Sequence, residues 1–166
     1  MRFDATHDYG KTDLTDDDNL VRWKFAELIK NLVTLSSSAE QQLKMTEIGA
    51  VCDEMALDFA TYFVLSYQTY LRVGLLTLDE AEQLKKLDKY FEDRSGEKSP
   101  DFWDDSLLKT NPEWQVVREK AKCILEMLRM QDLEIEFERT VEYKVSKEGK
   151  QIVSGETVKS WLTKRK

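Results

Sequence analysis

The stretch from Met55 to Leu71, MALDFATYFVLSYQTYL, places the tightest constraint on what this chain can fold into. Asp58 is its only side chain charged at neutral pH. Phe59, Tyr62, Phe63, Val64, Leu65, Tyr67, Tyr70 and Leu71 spread around most of a helix rather than along one stripe. A helix that is apolar nearly all round is buried on several sides. The stretch falls short of the ~20 apolar residues that cross a bilayer, and it also carries Ser66 and Gln68. The expectation is therefore the central helix of a soluble domain, with Asp58 either anchored by an arginine such as Arg22 or Arg72 or lining a pocket.

Local punctuation divides the rest of the chain. Thr15-Asp16-Asp17-Asp18 suits a helix start, because carboxylates cap free N–H groups and favour the positive end of the helix dipole. A first helix over about 17–35 follows, with Leu20, Trp23, Leu28, Leu32 and Leu35 facing inward. Ser36-Ser37-Ser38 interrupts it, and Ser38 with Gln41 forms a capping-box pattern that restarts a helix. This second, central helix runs over about 39–73, with a kink near Gly49, and stops at Gly74. Thr77 with Glu80 caps a third helix that ends before Gly96, while Ser99-Pro100 and Asn111-Pro112 open helices over 100–108 and 112–130.

Beyond Gln131 the period changes from helical to alternating. Leu133, Ile135, Phe137, Val141, Tyr143 and Val145 interleave with Glu134, Glu136, Glu138, Glu142 and Lys144, the pattern of a strand with one dry and one wet face. Lys147-Glu148-Gly149-Lys150 supplies a turn and 151–154 a short return strand. Val158, Trp161 and Leu162 fit a short terminal helix. The fold class expected is α+β, mostly α: a bundle of about five helices around the buried central helix, with a C-terminal β-hairpin and that terminal helix. No internal repeat or linker divides residues 1–166, which read as a single domain. Its parts are an acidic N-terminal arm or short edge strand over 1–16, a helical bundle over 17–130, a hairpin over 132–155, and a short helix with a basic tail over 156–166. A lone hairpin is marginal in water, so it must lie on the helices, gain a strand or pair with another chain.

The absences exclude much chemistry. The single histidine, His7, beside Asp8, argues against histidine zinc sites, di-iron bundles and histidine-dependent nucleophilic triads. The six glycines are scattered and form no phosphate loop. A net charge of −7 repels nucleic-acid backbone and anionic lipid and favours basic partners or metal cations. Cys52 and Cys123 read as two small buried hydrophobes in a reducing compartment. The start, MRFDATHDYG, carries no apolar signal-peptide core, so the expected location is cytoplasmic.

Two constellations remain. The first is acidic and aromatic: Glu92, Asp93, Glu97, Asp101, Asp104 and Asp105 surround Phe102 and Trp103. An acidic rim around an aromatic anchor suits a protein interface. It makes Asp101, Trp103, Asp104 and Asp105 candidate partner-binding residues, together with Asp16, Asp17 and Asp18. The second is a carboxylate row, Glu47, Glu54 and Asp58, with Asp88 and Glu92 as suppliers from a second helix. Such a set would hold Mg²⁺ through carboxylates and waters. In that use of helix-borne acids it resembles all-helical nucleotide pyrophosphohydrolases, although their paired Glu-x-x-Glu and Glu-x-x-Asp motifs are absent.

The leading expectation is a non-enzymatic acidic interaction module, without cofactor or membrane span, that binds and inhibits a basic partner protein. In size and charge it is similar to immunity proteins, antitoxins and anti-defence inhibitors. The alternatives are an Mg²⁺-dependent nucleotide or phosphate hydrolase, and a homodimer paired through the strand from Leu133 to Val145.

Overall fold

The computed structural model describes residues 1–46 and 49–166. Its elements are α1 (Asp17–Ser36), α2 (Ala39–Met45), α3 (Val51–Phe59), a π-helical turn (Ala60–Val64), α4 (Tyr67–Arg72), α5 (Leu78–Glu92), α6 (Pro112–Met127), β1 (Leu133–Val145) and β2 (Gln151–Lys164). The class is α+β and mostly helical, with one two-stranded antiparallel sheet. Among the described residues no helix is long and apolar enough to cross a membrane.

The caps read from the sequence hold the helix starts. Asp16 accepts from the Asn19 N–H at 3.0 Å and opens α1. Ser38 accepts from Gln41 N–H at 3.2 Å. Thr77 and Glu80 complete a reciprocal capping box on α5, and Asn111 accepts from Glu113 N–H at 2.9 Å ahead of Pro112. Such caps contribute about 1 kcal/mol each. Gly74, with φ +79°, ends the run through α4 as expected of a left-handed C-terminal residue.

The central element differs from the one expected. Met55, Phe59, Phe63, Ser66 and Tyr70 form a single buried stripe at four- and three-residue spacing. Leu57, Val64 and Leu65 are exposed, Leu65 by 80%, and Asp58 is exposed as well. The predicted 39–73 helix is also divided: α2 stops at Met45, α3 begins at Val51, and the π-helical turn breaks the register after Phe59. The element packed on most of its circumference is α1, where Phe25, Ala26, Leu28, Ile29, Asn31, Leu32, Val33 and Leu35 are all buried. It touches α2, α3, α4, α6 and β1. High apolar content marked one helix as central, whereas the topology surrounds another.

Three further expectations are corrected. Residues 100–108 form two short 3-10 turns, Pro100–Trp103 and Asp105–Leu107, instead of one helix. The N-terminal arm is neither strand nor loose tail: Phe3 packs edge-on to Phe25 at 4.9 Å, and the Tyr9 side chain, in a 3-10 turn, is buried. The terminal helix is absent, because β2 continues to Lys164 and pairs Leu133 with Lys164 and Ile135 with Leu162. Val158 and Leu162, four apart, share a face in a strand as they do in a helix. The long partner strand β1 decides for the ladder.

A chain of rings fills the space between α3, α5 and α6. Phe102 stacks on Trp114 at 4.6 Å, Trp114 meets Phe91 at 6.1 Å, and Phe91 meets Phe59 at 5.7 Å. Trp114 donates its indole N–H to the Phe102 carbonyl at 2.6 Å.

A polar joint lies at the C-terminal end of α1, one turn along α6 from Trp114. Buried Gln42 donates to the carbonyls of Thr34 and Leu35, both at 3.1 Å, and accepts from buried Arg118 at 3.1 Å. Arg118 also donates to the Leu108 carbonyl at 2.8 Å. The joint therefore ties the C-terminal end of α1 to α2, α6 and the 3-10 segment. Removing Gln42 takes an acceptor from a buried charge and leaves it the Leu108 carbonyl, which costs more than a neutral hydrogen bond. Gln42→Ala is expected to lower stability by about 3 kcal/mol in urea unfolding, well beyond an ordinary surface change; a loss under ~1 kcal/mol would refute this role.

Candidate functional site

The seven acidic and aromatic candidates do not form one surface. The α1 helix runs antiparallel to the chain from α3 to α4: Asn31 reaches Met55, Trp23 meets Tyr62 and Phe25 meets Tyr70. Asp16, Asp17 and Asp18 are exposed at the start of α1, beyond the Tyr70 end. Asp105 lies at the opposite end, roughly 25 Å away at 1.5 Å per helical residue.

Asp105 has a structural task. Its two carboxylate oxygens accept from the Val51 and Cys52 N–H groups, each at 2.9 Å. Ala50, the residue before α3, offers no side-chain cap, so Asp105 caps the helix from 54 residues away. Burial, and then the Asp105 carboxylate beside it, push the Cys52 thiol far above its usual range, so it stays protonated. The second thiol, Cys123, is exposed rather than buried as expected.

Asp104 turns back on Ser106, accepting from its hydroxyl at 2.7 Å and its N–H at 3.0 Å, which holds the carboxyl below its usual range. Trp103 is half-buried, with its indole N–H donated to the Arg94 carbonyl at 2.6 Å, while Phe102 is fully buried. Asp101 is exposed. Of the four residues in this segment, Asp101 and Asp104 alone present fully exposed charge.

The proposed metal ligands also separate. Glu54 and Asp58, one turn apart on α3, line a cleft of about 570 Å³ between α1, α3 and the hairpin. Asp88 and Glu92 line a different groove with Asp53, Leu57 and Trp103. Burial and the neighbouring Glu92 raise the Asp88 carboxyl above its usual value. Glu47 lies outside the described residues. Among the described residues, no group of three or more His, Cys, Asp or Glu side chains is arranged to hold a metal ion.

The sequence marks the hairpin, and a pocket as one of two settings for Asp58, but not the cleft between α1, α3 and the hairpin or the exposed distal face of the ribbon. In the cleft wall, Glu27 pairs with Lys30 at 3.1 Å, and Lys30 also donates to the Ser160 carbonyl at 3.2 Å. Burial and the nearby carboxylates of Glu27 and Asp58 hold the Tyr62 phenol above its usual value.

The hairpin divides into base and tip. At its base, Leu133 and Leu162 are buried in the core with Ile135 packed against it. Arg139 spans to α2, donating to the Lys44 carbonyl at 2.6 Å, and pairs with Glu156 across the ribbon. The inner face then continues outward as Val141, Tyr143 and Val145, with Val153 opposite Tyr143. Tyr143 is 56% exposed, Val145 73% and Val153 56%. The other face carries Glu134, Glu136, Glu138 and Glu142 in a row, with Trp161 donating to Glu136 at 3.2 Å. The alternation in β1 was the visible signal for both faces. That the dry face outruns the helices beneath it was not visible.

Comparison with protein-family models, with curated proteins and with solved structures finds no match.

Asp105→Ala removes both hydrogen bonds at the start of α3 and is expected to cost about 1–2 kcal/mol in chemical unfolding. Asp101→Ala, with no such task, should stay within ~0.5 kcal/mol. Equal effects of the two changes would contradict the capping role.

Proposed function

We propose that this chain is a non-enzymatic interaction module for a basic partner protein, and that the β-hairpin is its docking element. One observation carries the reading: the distal hairpin exposes an apolar inner face, Tyr143, Val145 and Val153, on a ribbon that has two strands among the described residues. A two-stranded ribbon is marginal by itself, and exposed strand edges invite pairing. Apolar side chains there gain most when a partner covers them, at about 25 cal/mol per Å² of surface removed from water.

Charge gives the partner its sign. The outer face presents Glu134, Glu136 and Glu138 at two-residue spacing, with Glu142 beyond Thr140, and the whole chain carries −7. A basic surface is drawn to that row, while the apolar tip supplies the burial that holds it. Covering a partner's basic surface is how such a module would inhibit it. The acids at 16–18, 101 and 104 add to long-range attraction.

Two hairpin variants test this reading. Tyr143→Lys/Val153→Glu removes the apolar tip, and Glu136→Lys/Glu138→Lys reverses the row. The tip change lies at the surface and should stay within ~0.5 kcal/mol, whereas the row change gives up the Trp161 bond to Glu136 and sets lysine opposite Lys159, at a cost of about 1 kcal/mol that leaves the fold intact. In affinity capture at low salt, each variant is expected to lose the basic protein that the wild type retains. Retention of the same protein by both variants would overturn the reading. Sedimentation of the purified chain covers the homodimer: a dimer dissolved by the tip change would make a second copy the occupant.

A further inference from the structure

The groove between α3 and α5 is a second surface that the fold leaves uncovered. Asp53, Ala56, Leu57 and Ala60 line it from one face of α3 and the residue just beyond, at three- and four-residue spacing. Asp88, Phe91, Glu92 and Ser95 repeat that spacing along α5 and just past its end. The two walls run antiparallel, since Phe59 meets Phe91 at 5.7 Å and Lys85 lies over the Tyr67 ring at 5.0 Å. Trp103, tied to the Arg94 carbonyl, closes the end nearest Ser95. This face of α3 is turned away from the cleft on the hairpin side, which Glu54, Met55, Asp58 and Tyr62 line.

The lining has an apolar floor and an acidic rim. Ala56 and Ala60, one turn apart, leave room beside the buried Phe91 ring, in a volume of about 420 Å³. Leu57 stands next to them, 59% exposed. Every charged residue in the lining is acidic: Asp53 on α3, Asp88 and Glu92 on α5. Among the described residues no ion pair holds any of the three. The nearby cations are engaged elsewhere, Lys85 with Glu82, Lys89 with Asp93 and Arg94 with Glu113. Burial, and then the neighbouring Glu92, raise the Asp88 carboxyl, a repulsion that an arriving cation relieves.

A helix is the shape that suits such walls. Backbone groups along α3 and α5 are paired within each helix, so an extended peptide finds little to bond, whereas a helix arrives with its own backbone satisfied. Small side chains at Ala56 and Ala60 let its ridge settle between the two walls. We infer that this groove binds a basic amphipathic helix of another protein. Its leucine-type side chains sit over Ala56, Ala60 and Phe91, and lysines or arginines one turn to either side meet Asp53, Asp88 and Glu92. The apolar face supplies the affinity and the rim charge selects the partner. The inference does not rest on the hairpin reading, because the two surfaces lie on different sides of α3.

The probe is a capped, alanine-rich peptide of about 18 residues, long enough to be helical, with two leucines one turn apart and lysines one turn to either side. Titrated into the full chain, it should shift the Trp103 indole N–H resonance saturably, with a Kd below about 1 mM. Exchanging its lysines for glutamates, or its leucines for serines, should abolish the shift. Leu57 and Glu92 are exposed, so Leu57→Ser and Glu92→Lys should keep the fold and each weaken the peptide at least about 5-fold. Tyr143→Lys/Val153→Glu, at the hairpin tip, should bind it as the wild type does. Absence of a saturable shift, equal binding of the glutamate peptide, or wild-type affinity in both groove variants would overturn the inference, as would loss of binding in the hairpin variant. Self-association of the free chain that Leu57→Ser abolishes would also overturn it, by placing a second copy in the groove.

Discussion

Enclosure of the C-terminal half of α1 is the constraint on which the rest of the molecule depends. Leu28, Ile29, Leu32 and Leu35 are sealed from water, with Val33 nearly so. Together they point in too many directions for one neighbour to cover. The α6, α3 and α2 helices and the base of the hairpin each take a sector. Each fully buried aliphatic side chain contributes roughly 1.5–3 kcal/mol, so this one helix organises much of the hydrophobic stabilisation. Its polar positions then become contact points rather than liabilities: Asn31 reaches α3, and Lys30 reaches β2.

Short elements around α1 are held by side chains from far away in sequence. Gln42 and Arg118 close the joint at one end, and Asp105 caps α3 in place of a local residue. The α2 helix has seven residues and α3 nine. Helices of that length do not persist alone in water. Tertiary capping and packing supply what local propensity lacks. The same economy explains why acids that look free in the sequence are in part occupied. Of the segment 101–105, Asp105 serves a helix, Asp104 a turn and Trp103 a carbonyl.

Features decided within a few residues were legible in the sequence. Asp16, Ser38, Thr77 and Asn111 mark the helix starts, and the alternation from Leu133 to Val145 marks β1 with its observed bounds. Features decided by neighbours were not. Hydrophobicity pointed to 55–71 as the centre, but Leu57, Val64 and Leu65 face water and α1 takes the middle. Val158 and Leu162 fit helix and strand equally until β1 is seen to need a partner along its full length. Asp105 meets α3 only after the chain has folded back over 54 residues.

The base of the hairpin belongs to the core around α1, whereas its tip, over 143–153, is held among the described residues by ladder and turn hydrogen bonds. Residue-resolved amide hydrogen exchange of the isolated chain tests that division most directly. Amides over 133–137 and 160–164 should be protected close to the level of global unfolding, while those over 143–153 exchange at least about 100-fold faster. Uniform protection along the whole ribbon in a monomer would contradict the account, because the tip would then be held by contacts it does not assign.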